Sequence, residues 1–309
     1  MNKRIMLGVL AGGVIAIASL VGFCIFKMHG FKQKFEETLN DNLAQISQEV
    51  ALNEAELDYT PFQCQGLFFI ECKSSYVSFT PLGFKEAVFS SRNLTLSLKE
   101  IDFKSITLGA ESQLQYTHLG DLQEYAQAFL PNDFQLDLTI KPQDTKSYTM
   151  HTKLLLNAKN AQYTEEFTSL IDSPKVQELG LFRHIGSLAF LDEGMQIKNL
   201  ELSLISKNLS DTLFEIAQSK YGKSLNRKAY NALAAFLAGA SIQPYSKKPY
   251  YTEIRDLVGG LLEIVTGDQN KMQVSISPKN DQSIQTSQDL DTMLEAFFSN
   301  YSFNITLSK

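Results

Sequence analysis

Apolar and polar residues alternate in five stretches of this 309-residue chain, and this alternation limits its fold more than any other feature. Leu94, Leu96 and Leu98 show the pattern in its simplest form. Because successive side chains of a strand point to opposite faces of a sheet, each stretch predicts a strand with one apolar and one solvent-facing side. Such strands are typical of antiparallel sheets and not of doubly wound enzymes. The other four stretches lie at residues 134–140, 195–204, 272–276 and 301–307.

Helical spacing of apolar residues occurs between these strands, mostly late in the chain. Residues 226–240 are apolar on nearly every side, which predicts a buried helix. Ser210 or Asp211 is available as the N-cap of a helix ending near Tyr221. Together the two patterns predict an α+β fold, with a long curved antiparallel sheet and helices packed on its apolar face. Four further amphipathic helices are predicted at residues 122–130, 213–221, 254–265 and 290–298.

A run of 21 uncharged residues, MLGVLAGGVIAIASLVGFCIF, occupies residues 6–26. A helix of this length spans the roughly 30 Å hydrocarbon core of a bilayer, so the run predicts a transmembrane anchor. The alternative is a signal peptide, since Ala16-Ile17-Ala18 matches the cleavage pattern of small residues. Cleavage there would leave the rest of the apolar run as a new N-terminus, and this favours the uncleaved anchor. The positive charges that flank the run nearly balance, so they do not decide its orientation.

Small residues mark one side of the predicted anchor. Gly8 and Gly12 form a GxxxG pattern that Ala16 extends, which permits close approach of a second helix. After the anchor, apolar residues recur every three to four positions from Phe31 onward and predict an amphipathic stalk helix. The predicted organisation is therefore an N-terminus at residues 1–5, a transmembrane anchor (6–26), a stalk helix (27–57) and an α+β domain (58–309).

Cys64 and Cys72 enclose an apolar segment in PFQCQGLFFIECK. On one straight strand they would lie roughly 26 Å apart, too far for a disulfide, so a bond demands a turn between them. The alternative is two unpaired cysteines on the same face of a strand. We expect the disulfide, because a domain behind a single anchor is most simply exported to a compartment where disulfides persist. The turn would then present Leu67, Phe68 and Phe69 as an apolar tip for a partner or a membrane surface.

Residues suited to catalysis or metal binding do not form a recognisable group in the sequence. The four histidines have no ligand spacing with Cys, Asp or Glu, which argues against a metal site. His184 lies among apolar residues and is interpreted as a packed side chain. Glu165 and Glu166 stand in polar, turn-like surroundings and not as an acid/base pair. With a net charge of -6 and no arginine-rich run, nucleic acid is also an unsuitable partner. We expect neither an enzyme nor a cofactor.

The C-terminal pattern consists of the strand KMQVSISPKND, an amphipathic helix with Leu290, Met293 and Leu294, and the last strand NYSFNITLSK. This pattern resembles that of bacterial envelope proteins of the AsmA-like and YdgA-like type. The resemblance implies anchorage in the inner membrane with a cytoplasmic N-terminus (1–5), a periplasmic domain (58–309) and a role in envelope homeostasis or lipid handling. It supplies no catalytic residues.

These observations favour a single-pass protein of the bacterial inner membrane with a non-catalytic periplasmic domain. We expect that domain to bind or shield a lipid or another apolar ligand in the concave sheet, because one-sided strands leave an apolar face to be covered. The alternative is a structural or interaction subunit of an envelope complex, without a ligand cavity. It would use the stalk, the tip at 67–69 or the GxxxG face.

Overall fold

An eleven-stranded sheet is the framework of the protein in the computed structural model, which describes residues 31–66, 69–101, 105–120, 123–144, 147–172, 195–279 and 290–309. In chain order the strands are β1 (Glu56–Tyr59), β2 (Gln63–Gln65), β3 (Ile70–Thr80), β4 (Phe89–Ile101), β5 (Ile106–Tyr116), β6 (Pro131–Pro142), β7 (Ser147–Ala158), β8 (Ala161–Asp172), β9 (Met195–Ser206), β10 (Lys271–Pro278) and β11 (Tyr301–Ser308). Their order in the sheet is β1-β3-β4-β5-β6-β7-β8-β9-β10-β11, with β2 paired to β3.

Helices precede and interrupt this sheet. The described helices are α1 (Phe31–Leu52), α2 (Gln123–Phe129), α3 (Leu209–Tyr221), α4 (Arg227–Ile242), α5 (Tyr251–Thr266) and α6 (Leu290–Asn300), with a 3-10 turn at Gln243–Tyr245. The chain divides into two compact units. Unit 1 takes the described residues of Met1–Gln123, Asn132–Leu154 and Leu170–Met195, and unit 2 those of Glu124–Pro131, Leu155–Ser169 and Gln196–Lys309.

The core of unit 1 forms between α1 and the apolar side of the sheet. Leu39 and Leu43 of α1 are fully buried, and they lie four residues apart on one helix face. Polar bonds fix the same helix: the Asn40 amide donates to the Phe62 carbonyl at 3.2 Å and accepts from the Phe62 N–H at 2.7 Å. The sheet contributes alternate residues of three strands, namely Leu94, Leu96 and Leu98, Ile106, Leu108 and Ala110, and Leu136, Leu138 and Ile140.

The core of unit 2 is built on β9, β10 and β11, which pair antiparallel. Met272 lies between Leu204 and Leu307 in register, and all three belong to one hydrophobic cluster. Helix α5 covers these strands closely. Gly260 of α5 is buried, and a Cβ atom there would lie 3.1 Å from the Met272 sulfur. The size of residue 260 therefore sets how near α5 approaches the sheet.

The predicted fold class, with a transmembrane helix and a stalk helix ahead of a curved sheet, is wrong. The structure is a large antiparallel sheet of eleven strands with helices. Among the helices that the structure describes, none has both the length and the apolar character needed to cross a bilayer. Residues 6–26, on which the predicted anchor falls, lie outside the described residues. The helix predicted as a stalk at residues 27–57 is α1, and it packs into the core of unit 1 because its apolar stripe faces the sheet.

The five alternating stretches all lie in strands, namely β4, β6, β9, β10 and β11. These stretches do not cover the other six strands that the structure describes, namely β1, β2, β3, β5, β7 and β8. The N-cap of α3 is Asn208, without a side-chain cap bond, so neither Ser210 nor Asp211 caps this helix. The largest error concerns α4, which was predicted to be buried: among its residues only Tyr230 is.

Candidate functional site

Helix α4 forms for local reasons and not because it is buried. Its sequence RKAYNALAAFLAGASI is rich in alanine, the residue with the highest helix propensity. Asn226 precedes it in an extended conformation, and its side-chain oxygen accepts the N–H of Ala229 at 2.9 Å, which caps the helix. A capped, alanine-rich helix can hold apolar side chains in water. The surface of α4 therefore need not be covered within unit 2.

The solvent-facing side of α4 carries three large apolar residues. Leu233, Phe236 and Leu237 are 38%, 71% and 58% exposed. Their spacing of three and four residues places them on one helix face, and the exposed Ala229 and Ala240 continue it. We call these five residues the α4 face. Single exposed apolar residues are ordinary in proteins, whereas a contiguous group marks an interaction surface.

The opposite side of α4 is held by α3 and α5. The buried Tyr230 ring meets Phe214 of α3 edge-on at 5.6 Å, and its hydroxyl donates to the Val265 carbonyl of α5 at 3.4 Å. Burial raises the pKa of the Tyr230 hydroxyl, so it keeps its proton and can donate. A rotation of α4 about its axis would break these contacts. The α4 face is therefore presented outward in a fixed orientation. On α5, which packs against α4, Leu261 is also 45% exposed.

Positive charge flanks the α4 face along the sequence. Residues 220–248 carry six cationic side chains and no Asp or Glu. Since the whole chain has a net charge of -6, the remaining residues sum to -6 - 6 = -12. The cationic residues lie before α4, at its first turn and after its end, and they are Lys220, Lys223, Arg227, Lys228, Lys247 and Lys248.

Arg227 makes hydrogen bonds, an ion pair and a ring contact within unit 2. Its guanidinium donates to the Ser210 carbonyl at 3.1 Å and to the Ser210 hydroxyl at 3.0 Å. It also forms an ion pair with Asp211 and lies 4.5 Å from the centre of the Phe214 ring. These bonds attach the start of α4 to the start of α3. Arg227 is therefore mainly a structural residue, while Lys223, Lys228 and Lys247 are exposed.

A polar pocket of about 300 Å³ lies beside Arg227 within unit 2. Gly267 on its wall has a φ of 84°, and a Cβ atom there would lie 2.7 Å from the Ser210 hydroxyl. No histidine or cysteine lines this pocket, and its guanidinium is already paired with Asp211. Across the described residues, no group of three or more His, Cys, Asp or Glu could hold a metal ion.

The residues singled out in the sequence are distributed differently. Gly8, Gly12, Ala16, Leu67, Phe68 and His184 lie outside the described residues. Phe69 is 70% exposed at the start of β3. Glu165 and Glu166 lie within strand β8 and not in turn-like surroundings. Burial raises the pKa of the Glu165 carboxyl.

Cys64 and Cys72 form a disulfide across β2 and β3, directly opposite each other in register, with their Cα atoms 3.9 Å apart. Strands β2 and β3 pair antiparallel, so the chain reverses direction between the two cysteines. Gly66 has a φ of 99°, and a Cβ atom there would lie 1.8 Å from the Phe69 carbonyl oxygen, so only glycine fits. The bond and this glycine together fix the hairpin.

The apolar side of the sheet, predicted to hold a ligand, is occupied by helices within each unit. In unit 1 it packs against α1, and in unit 2 against residues of α3 and α5. The α4 face was missed because an all-apolar sequence was interpreted as a buried one. The absence of acidic residues across 220–248 is the signal that distinguishes it.

The chain matches no protein-family model, and no curated protein is significantly similar to it.

Proposed function

We propose that this protein is a non-catalytic, membrane-associated envelope protein that contacts an anionic phospholipid surface through α4. The observation that carries the proposal is the α4 face, an exposed apolar stripe within a 29-residue segment that has six cations and no acid. Interfacial helices combine these properties: apolar side chains enter the acyl boundary while flanking Lys and Arg meet anionic headgroups.

The energies are of a suitable size for a reversible contact. Full burial of a Leu or Phe side chain contributes about 1.5–3 kcal/mol, and Leu233, Phe236 and Leu237 are only partly exposed beforehand. Each nearby Lys or Arg contributes about 1 kcal/mol against an anionic surface. Together these contributions support weak binding by the α4 face acting alone. They support stable association when the protein is already held at a membrane.

The location that we propose is the periplasmic side of a bacterial inner membrane. The disulfide between Cys64 and Cys72 fits an oxidising compartment. The uncharged run at residues 6–26, with four residues before α1, would keep the domain beside the bilayer. Tethering raises the effective concentration of lipid at the α4 face, so a weak intrinsic contact becomes sufficient.

A protein partner is the competing occupant of the α4 face, as in an interaction subunit of an envelope complex. The charge distribution favours lipid, because an acid-free segment of this length in an acidic chain matches a uniformly anionic surface. A lipid enclosed in the sheet is less well supported, since helices occupy its apolar side.

The chain contains no tryptophan, which makes a direct test possible. We expect Phe236→Trp in the full-length chain, reconstituted in vesicles with brominated acyl chains, to be quenched strongly when the lipids are anionic. Quenching by bromine requires close approach, so it reports insertion of residue 236 itself. We expect the tryptophan emission maximum of this variant to lie at a shorter wavelength in vesicles than in detergent-free buffer.

Phe84→Trp is the matched control, because Phe84 is 44% exposed on unit 1 and the acidic Glu86 lies two residues from it in the sequence. We expect weak quenching of this variant in the same vesicles. Equal quenching at positions 236 and 84, or quenching at 236 that is independent of anionic lipid, would contradict the proposal. Protection of residue 236 only in the presence of a co-purified protein would indicate the interaction subunit instead.

A further inference from the structure

Strand β11 is the last strand in the order of the described sheet, and its outer edge pairs with no described strand. It is eight residues long and reads YSFNITLS, without a charged residue or a proline. An edge strand presents a row of backbone N–H and C=O groups to any other strand. Proteins usually protect such edges with lysine, proline, a bulge or a short strand, and β11 has none of these.

The opposite end of the sheet is protected. Its strands β1 and β2 have four and three residues, so they offer little length for pairing with another chain. Head-to-tail pairing of β11 with the far edge of a second molecule is therefore excluded as a stable arrangement. The strand of matching length and composition on a second copy is β11 itself.

We propose that β11 pairs antiparallel with β11 of a second copy, about a two-fold axis that continues the sheet between the two chains. A two-fold contact of this kind is closed, because each edge satisfies the other and no further copy can add. The partner is thus another molecule of this chain. This inference does not depend on the lipid contact of α4.

The side-chain alternation of β11 selects the register. Tyr301, Phe303, Ile305 and Leu307 are buried or half-buried, while Ser302, Asn304, Thr306 and Ser308 are exposed. Opposed residues of an antiparallel pair lie on the same face, so the two residue numbers of each pair must have an even sum to keep apolar opposite apolar.

An axis at Asn304 satisfies this rule over residues 301–307. It places Tyr301 opposite Leu307 and Phe303 opposite Ile305, and it leaves the neutral Asn304 opposite itself. The two amides can hydrogen-bond to each other, since each has donors and an acceptor. An axis at Ile305 would instead place the charged Lys309 opposite the buried Tyr301. An axis at Phe303 would pair only residues 301–305 of this strand, so it would form a shorter contact. We therefore assign the axis to Asn304.

Disulfide trapping tests both the pairing and its register. In a Cys24→Ala background, Asn304→Cys places two thiols opposite each other, about 5 Å apart between Cα atoms. We expect oxidation of the full-length protein in detergent to give a disulfide-linked dimer that reductant dissolves. Ser308→Cys lies on the same strand and face, but its copies would be about 27 Å apart. We expect this control to stay monomeric, and equal cross-linking of both variants would overturn the register.

Charge variants test the pairing without a covalent bond. Asn304→Lys and Asn304→Asp each place like charges together on the axis, and residue 304 is exposed, so the fold tolerates both. We expect each variant to sediment as a monomer at concentrations where the unaltered chain is dimeric, and an equal mixture to recover the dimer. A monomeric unaltered chain, or a mixture without recovery, would overturn the proposal, while quenching at Phe236→Trp would remain as before.

Discussion

At the scale of single residues, the Cys64–Cys72 disulfide stabilises strand β2, which is too short to bury much apolar surface of its own. Strand β2 has three residues and pairs only with β3 among the described strands. Cys72 is fully buried and belongs to the core of unit 1, and Glu36 of α1 accepts the Cys64 N–H at 2.8 Å. The disulfide therefore holds β2 against β3, and the hydrogen bond to Glu36 holds it against α1.

We expect the double variant Cys64→Ala, Cys72→Ala to lose about 2.5 kcal/mol of unfolding free energy, because the closed loop restricts the unfolded chain. Denaturant unfolding with and without reductant measures the loss. Reductant should destabilise the unaltered protein by a similar amount and leave the double variant unchanged. A reductant effect on the double variant would show that another thiol is responsible.

Glu165 predicts a pH dependence of stability. Burial raises the pKa of its carboxyl above the ordinary value of 4.5, so the folded state binds this proton more tightly than the unfolded chain does. The contribution of this bound proton to stability is complete at pH values below 4.5, and it is lost as the pH rises through the raised pKa. We expect Glu165→Gln to raise the melting temperature at pH 7. When the pH falls from 7 to 5, the melting temperature of this variant should increase less than that of the unaltered protein. Glu215→Gln, at an exposed position in the middle of α3, should leave the melting temperature at pH 7 nearly unchanged.

At the scale of elements, α1 shows what a periodic pattern leaves open. Apolar residues at Phe35, Leu39 and Leu43 predict one apolar side of a helix, and the structure confirms the helix. The pattern does not say what that side contacts. Position after an apolar run suggested a stalk, but the bonds of Asn40 and Glu36 to the segment around β2 show a core element.

Two leucines of α1 distinguish these roles. Leu39 is fully buried and Leu52 is 85% exposed. We expect Leu39→Ala to cost about 2–5 kcal/mol of unfolding free energy, through lost burial and the cavity that remains. Leu52→Ala should change stability by less than about 0.5 kcal/mol. Chemical denaturation of both variants measures the difference, and a small loss at Leu39 would restore the stalk interpretation.

At the scale of the whole molecule, the sequence predicts strands better than it predicts surfaces. Alternation located five strands because successive side chains of a half-buried strand face the core and the solvent in turn. Residues 226–240 show no such alternation, since they are apolar on nearly every side whether water, protein or lipid surrounds them. The exposure of Phe236 depends on how α3 and α5 pack beneath α4, and no local pattern contains that information.

Charge distribution separates a lipid contact from a purely apolar one. We expect the double change Lys228→Glu, Lys247→Glu to weaken association of the α4 face with anionic vesicles by at least about 30-fold, since each lysine contributes about 1 kcal/mol. Quenching of Phe236→Trp in this background measures the loss of association. The loss should be smaller at high salt, because salt screens surface charges. Lys85→Glu with Lys141→Glu changes the net charge by the same amount outside residues 220–248 and should have little effect. Equal losses from both pairs would mean that net charge, and not the surroundings of α4, governs the contact.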